Sequence, residues 1–352
     1  MSVIVLTGGG TAGHSAPCIA LIPDLKKIFD EVYYIGSKDG IEQKLVKKTG
    51  VTYFYVPTVK FERRLTLKNI LIPAKLLSAV SAAKNVLKNL KPDVVFSKGG
   101  YVALPTVIAA KKLGIPVISH ESDLSMGLAN KIALKYSAKM LTAFEKTADG
   151  IQKAECVGIP LDKKLFCERD KAKILKKFGF EKGKKVLLIT GGSQGSRAIN
   201  EAFGGARDRL LKKYNVIHLC GKGKSSGVKA KGLYETEFAE NMGEVFAACD
   251  LAVSRAGANT MFELAALCLP TLAIPLPKGN SRGDQVENAK YFKSKRLCEV
   301  LFEENLTPET LIKSIEKLQG ESAEISARLR KQNFTTANEK VIENLKVYAK
   351  QK

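Results

Sequence analysis

Short apolar runs alternate with helical stretches along this chain, and two of the runs end on the same glycine-rich device. Ser2–Thr7 leads into GGGTAGH and a helix, and Lys185–Thr190 leads into GGSQGSR and a helix. Each reads as strand, Thr-Gly-Gly, small polar residues, glycine, helix, so the chain carries an internal structural repeat. Val32–Ile35, Tyr53–Val56, Val94–Phe96, Val117–Ser119, Met140–Thr142 and Val216–Leu219 are further short apolar runs, flanked by turn residues or helices. Continuous rather than alternating apolar strands predict a parallel sheet covered on both faces. Helices are expected near His14–Phe29, Ile41–Lys48, Leu67–Leu90 and Ala198–Leu211. The fold class is therefore α/β, with two Rossmann-like doubly wound parallel-sheet domains. A chain of 352 residues is also longer than one core readily serves. The expected division is 1–160 and 161–330, meeting near VGIPLDKKL, with a C-terminal helix over 331–352 that packs back on the first domain.

A glycine-rich turn from strand to helix suits phosphate, because backbone N–H groups and the helix dipole converge there. Neither loop is GxGxxG with a downstream acid, and neither is GxxxxGK[ST], so dinucleotide and P-loop readings are weak. One such loop alone is as consistent with a tight packing turn. Two of them at the carboxyl ends of strands point to ligands, since that is where doubly wound sheets bind them. A third segment runs CDLAVSRAGANTMFELAALCLPTLAIPLP from Cys249 to Pro277. Glu263 lies there in an otherwise apolar helix, where a carboxylate needs a partner. Two ribose hydroxyls would serve, and so would solvent on an amphipathic face. Gln285 and Asn288 stand three apart in DQVENA, on one helix face, which suits sugar hydroxyls or plain surface polarity.

His14 closes the first loop. An imidazole titrates near pH 6.5, fit for general-base work, but a residue at that point can also cap a helix. Glu121, at a strand end, is the other candidate for orienting or moving a proton. His120 and His218 read as structural.

The formal charge of +22 favours anionic partners, or reflects lysine used for solubility. FERRLTLKNILIPAK mixes Lys68 and Lys75 with Leu67, Ile70, Leu71 and Ile72, an apolar patch with a basic rim of the kind that holds a membrane surface. Farther along, Leu76, Val80, Ala83, Leu87 and Leu90 form a core-facing helical stripe. No apolar run reaches the roughly 18 residues of a membrane span, and the N-terminus lacks the form of a signal peptide. Seven cysteines with no CxxC pair predict reduced thiols in a cytosolic protein.

The segments GGGTAGH, SKGGYVALP, HES with GLANK, GGSQGSR, SRAGANTMFELAALCLPTLAIPLP and DQVENA together resemble, in order and spacing, glycosyltransferases of the GT-B fold. The chain is most similar to the peptidoglycan transferases that move N-acetylglucosamine from UDP onto lipid I. That resemblance implies two domains facing a cleft and an inverting transfer that forms a β(1→4) linkage, without metal or cofactor. It implies that Ser193, Gln194 and Gly195 hold the diphosphate and that backbone near Ala239 faces uracil. Ala258, Asn259, Thr260, Met261 and Phe262 would close around the nucleotide, with Glu263 on the ribose. Gln285 and Asn288 would contact the sugar, and Thr11, Ala12, Gly13 and Asp123 would line the other side of the cleft. The implied partners are UDP-N-acetylglucosamine, undecaprenyl-linked lipid I and an anionic membrane at the cytoplasmic face, with no nucleic acid.

Two positions depart from the family pattern. Asp123 stands where Asn is frequent, and Asp162 where an Arg is frequent, so either Lys163 or Lys164 serves the diphosphate there or Asp162 points away from it. Two other readings remain. One is a different GT-B-like enzyme on UDP-N-acetylglucosamine, such as a non-hydrolysing 2-epimerase or a UDP-sugar hydrolase. The other is a basic lipid- or nucleic-acid-binding protein, disfavoured by the lack of aromatics interleaved with basic patches.

Overall fold

The structure, a computed structural model, describes residues 1–58, 72–166, 170–279 and 282–349, with the side chains of Ala12 and Ile72 outside that description. Two compact units emerge: residues 1–162 with 335–352, and residues 163–334.

The first unit is a seven-stranded parallel sheet. Its strands in chain order are β1 (Val3–Thr7), β2 (Glu31–Gly36), β3 (Thr52–Tyr55), β4 (Val94–Ser97), β5 (Val117–Glu121), β6 (Lys139–Thr142) and β7 (Ala154–Cys156), in the spatial order β3-β2-β1-β4-β5-β6-β7. Side chains of a strand alternate between faces. Ile4 and Leu6 accordingly join one buried cluster with Leu21, Val341 and Leu345, while Val5 joins another with Val80, Leu87 and Val107. Helices cover both faces: α1 (Ala12–Leu25), α2 (Ile41–Lys47), α3 (Ile72–Leu90), α4 (Leu104–Lys112), α5 (Leu128–Tyr136) and the short α6 (Glu145–Ala148). On α3 the expected stripe is core: Val80, Ala83 and Leu87 are buried, with Leu76 and Leu90 packed against them. The last helix of the chain also belongs here, because its Val341 and Leu345 pack beside β1 and β4 residues. Asn338 at its start accepts from Leu161 N–H at 2.9 Å and donates to Leu161 O at 3.1 Å.

The second unit holds α7 (Lys171–Lys177), β8 (Lys185–Thr190), α8 (Arg197–Lys213), β9 (Tyr214–Leu219), β10 (Leu233–Thr236), α9 (Met242–Ala248), β11 (Leu251–Ser254), α10 (Ala258–Ala266), β12 (Thr271–Ala273), α11 (Asp284–Ser294), β13 (Glu299–Val300) and α12 (Pro308–Gln332). Its six strands are parallel in the order β10-β9-β8-β11-β12-β13. The remaining helix, α13 (Ala337–Ala349), is the one docked on the first unit.

In both units the first strand sits inside the sheet, with later strands added on either side. That order creates a topological switch point beside β1 and beside β8, where doubly wound sheets open a crevice for ligand. The two glycine loops follow those two strands. No helix of the described residues is long and apolar enough to cross a membrane, and none of the six described cysteines is in a disulfide.

Candidate active site

In the first unit, residues 8–11 form a turn tethered from beneath. Tyr34 donates its hydroxyl to Gly8 O at 2.6 Å. The fully buried Glu42 accepts from Gly10 N–H at 3.3 Å, and from the N–H and hydroxyl of Ser37 at 3.1 and 2.5 Å. Gly10 has φ +86°, and a Cβ there would lie 2.6 Å from the Tyr101 ring. The turn is therefore fixed in a shape only glycine permits.

Helix α1 begins at Ala12, two residues earlier than the sequence suggests, with Thr11 in the N-cap position. His14 consequently does not cap it; it lies within the first turn. Thr11 makes no side-chain cap bond, and its Oγ1 is instead 2.9 Å from His14 Nδ1. The imidazole is half-buried, and a Cβ on Gly100 would stand 3.3 Å from its Nδ1. Thr11 and Gly13 are exposed at the mouth of the turn.

Glu121 ends β5, and its carboxylate is surrounded by donors. Oε1 accepts from Asp123 N–H at 3.0 Å, and Oε2 from Gly127 N–H at 2.9 Å and Asn130 Nδ2 at 3.0 Å. This geometry organises the 122–127 loop, with half-buried Asp123 in it, and gives Glu121 a holding role rather than an open proton acceptor. Beneath the loop lies Lys98, 1% exposed, donating to Ser122 Oγ at 2.5 Å. Burial pulls its ammonium below the usual lysine range, while the Glu121 carboxylate works against that shift. His120 is fully buried with Nε2 2.7 Å from Gly158 O; burial, reinforced by Lys98, holds it neutral.

In the second unit, Gly192 (φ +81°) has open space around its would-be Cβ, whereas a Cβ on Gly195 (φ +68°) would stand 2.1 Å from Cys220 O. One side of this loop is thus packed hard against the end of β9, and the other is open to a ligand. Ser193 and Gln194 are exposed on it. Ser196 caps α8 by accepting from Ile199 N–H at 3.3 Å. Buried Arg255 donates to that same Ser196 Oγ at 2.6 Å, to Ile274 O at 3.2 Å and to Pro275 O at 3.3 Å, and pairs with Glu303. It stitches the ends of β8, β11 and β12 into one surface.

Helix α10 starts on that surface, after Gly257. Ala258, Met261 and Phe262 are buried, and the Phe262 ring packs edge-on against Phe292 and Phe334 at 5.6 and 5.4 Å. Of the stretch expected to close around a nucleotide, only half-buried Asn259 and Thr260, with half-buried Glu263 beyond, offer side chains. Gln285 is half-buried and accepts from Leu276 N–H at 3.0 Å, which sets its carboxamide. Asn288, expected beside it on a sugar-facing surface, is fully buried and donates to Ala256 O at 3.3 Å. It supports the 256–257 turn from below. Beyond β10, the Phe238 side chain is 68% exposed and Ala239 is half-buried.

Leu67, Lys68, Ile70 and Leu71 lie outside the described residues, as does the side chain of Ile72. Lys75 is exposed on the first turn of α3, and Leu77 beside it is 64% exposed. Asp162, Lys163 and Lys164 are exposed where the two units meet in sequence.

Residues 4–142 match the glycosyltransferase family 28 N-terminal domain, and residues 186–345 match its C-terminal domain. The chain belongs to glycosyltransferase family 28. Among curated relatives of this family-28 chain, a Clostridium botulinum protein is 42% identical over 99% of this chain and 100% of its own length. One from Lachnoclostridium phytofermentans is 44% identical over 97% and 98%. Both are named UDP-N-acetylglucosamine–N-acetylmuramyl-(pentapeptide) pyrophosphoryl-undecaprenol N-acetylglucosamine transferase. The crystal structure of Acinetobacter baumannii MurG superposes with a TM-score of 0.75 at 24% identity, covering 98% of this chain and 99% of that one. The fold is GT-B. A UDP-N-acetylglucosamine 2-epimerase from Neisseria meningitidis has a TM-score of 0.69 at 15% identity over 98% and 99%; that likeness is one of fold alone, and the epimerase reading is not favoured beside the 42–44% identical transferases.

Proposed function

We propose that this family 28 chain transfers N-acetylglucosamine from UDP-N-acetylglucosamine to undecaprenyl-linked lipid I, with inversion at the anomeric carbon. The observation that carries the donor half is the second-unit switch point. There the open face of residues 191–195 and the amino ends of α8 and α10 converge beside β8 and β11. Two helix dipoles and a run of N–H groups offset the charge that builds on a departing UDP. Ser193, Gln194 and Gly195 hold the diphosphate, backbone at Ala239 receives the uracil, and Glu263 takes the ribose hydroxyls. Gln285 contacts the sugar through a carboxamide whose orientation Leu276 sets. The full-length relatives that carry the transferase name support the same donor and acceptor.

Glu263→Ala is expected to raise KM for UDP-N-acetylglucosamine by about ten- to a hundredfold, the cost of a charge-assisted pair to hydroxyls. Donor KM unchanged in that variant would take Glu263 out of the donor site.

An anionic membrane surface is the proposed setting for the acceptor. Leu77 on α3 and Leu128 at the start of α5 are 64% and 60% exposed, and α5 follows the carboxyl end of β5 after a short loop. Exposed leucines, one of them two residues from exposed Lys75, suit an interface that is apolar inside and negatively charged outside. Leu77→Glu with Leu128→Glu should lower binding to vesicles containing anionic lipid by roughly tenfold or more, while turnover of a short-chain soluble acceptor is kept. Equal co-sedimentation of the variant and the parent protein would refute the docking surface.

A further inference from the structure

A second loop of the donor unit is built into the diphosphate loop although it lies outside the residues assigned to donor. Residues 220–227, CGKGKSSG, follow β9. The Lys224 ammonium donates to Gln194 O at 2.8 Å and Gly195 O at 3.3 Å. A Cβ on Gly221 would lie 2.6 Å from Gln194 O, so the two loops touch backbone to backbone. The far end of the 220–227 loop is anchored by Glu235, on β10. Its Oε1 accepts from Ser225 Oγ at 2.9 Å and Ser226 N–H at 2.6 Å, and its Oε2 lies 2.8 Å from His218 Nδ1. His218 is in turn 3.1 Å through Nε2 from Asn200 Oδ1, and Asn200 donates to Cys220 O at 2.9 Å. The chain of bonds therefore starts at a buried carboxylate–imidazole pair and ends on two carbonyls of the 191–195 loop.

A peptide carbonyl and the next N–H point in opposite directions along an extended or turn backbone. Lys224 holds the carbonyls of Gln194 and Gly195, and the N–H after the first, that of Gly195, closes the turn on Gly192 O at 2.9 Å; the brace thus fixes the 192–195 turn, whose outer side presents exposed Ser193 and Gln194 to an arriving diphosphate. We infer that Lys224 and Glu235 are positioning residues for the nucleoside diphosphate, acting through the 191–195 loop without touching the ligand. The inference rests on the donor assignment proposed above and adds what sets the shape of that site.

The two variants that test it pull in opposite electrostatic directions. Lys224→Met removes a positive charge near the diphosphate, and Glu235→Gln removes a negative one. Through-space attraction alone predicts weaker UDP binding for the first and tighter binding for the second. A brace predicts weaker binding for both. By calorimetry, Kd for UDP should rise about tenfold or more in each variant, while Kd for uridine, which has no phosphate, stays within about twofold of the parent. Lys224 is exposed, so its variant keeps the fold. Retained uridine binding shows the same for the Glu235 variant. In kinetics, KM for the donor should rise more than kcat falls. Tighter or unchanged UDP binding in Glu235→Gln overturns the brace and leaves the donor assignment standing. Equal loss of UDP and uridine also overturns it, since the residues would then only maintain the fold. Failure of the parent chain itself to bind UDP defeats the donor assignment instead.

Discussion

His14→Ala should lower kcat by about 10²–10⁴ and leave KM for the sugar nucleotide nearly unchanged, the signature of a lost general base. The acceptor 4-hydroxyl must give up a proton as its oxygen bonds to the anomeric carbon and UDP leaves. A base acting through Nε2 needs its own proton on Nδ1. Thr11 Oγ1, 2.9 Å from Nδ1, is placed to accept that proton and so to fix both tautomer and ring orientation. The glycine turn contributes by bringing the imidazole to the carboxyl end of β1, against Gly100. The pH profile supplies the sign. A base works only when unprotonated, so kcat falls on the acid side in the parent, and that acid limb should vanish in His14→Ala. His14→Gln is the telling control, because a carboxamide keeps a hydrogen bond but takes no proton near neutrality. Near-parental activity in that variant would show that His14 positions rather than deprotonates. Glu121 is poorly arranged to replace it, since its two oxygens already accept N–H bonds from Asp123 and Gly127 in its own loop and from the Asn130 carboxamide on α5.

The parts of this site visible in the sequence are those written in local chemistry. Two Thr-Gly-Gly turns after apolar runs announce their strands, their helices and, through them, both switch points. The stripe Val80, Ala83, Leu87 announces a buried helix face for the same reason, a period that any local window contains. What stayed hidden are long-range polar partners. Glu42 grips Gly10 from 32 residues away, and Arg255 reaches Ser196 across 59. No spacing rule ties such pairs together, because the parallel sheet brings strand ends side by side regardless of their distance along the chain. Lys98 and Glu235 are hidden likewise: an isolated charge in a sequence reads as surface, and only packing shows it enclosed. Asn288 illustrates the converse. Its place three residues after Gln285 suggests a shared polar face, yet one helical turn suffices to carry it from half-exposed to fully buried. Helix α1 starts at Ala12, two residues ahead of the expected His14, because the turn leaves Thr11 extended in the N-cap position even though Gly13 lowers helical propensity.

Acceptor dependence tests the central claim most directly. The purified chain is given UDP-N-acetylglucosamine with and without a lipid I analogue, and both UDP release and the new glycosidic bond are followed. The proposed transfer predicts UDP release that rises by roughly two orders of magnitude or more when the acceptor is added. It also predicts one N-acetylglucosamine gained per UDP, in a β(1→4) linkage to the muramoyl sugar. UDP release at the same rate without acceptor, an epimerised sugar nucleotide, or an α-linked product would contradict it.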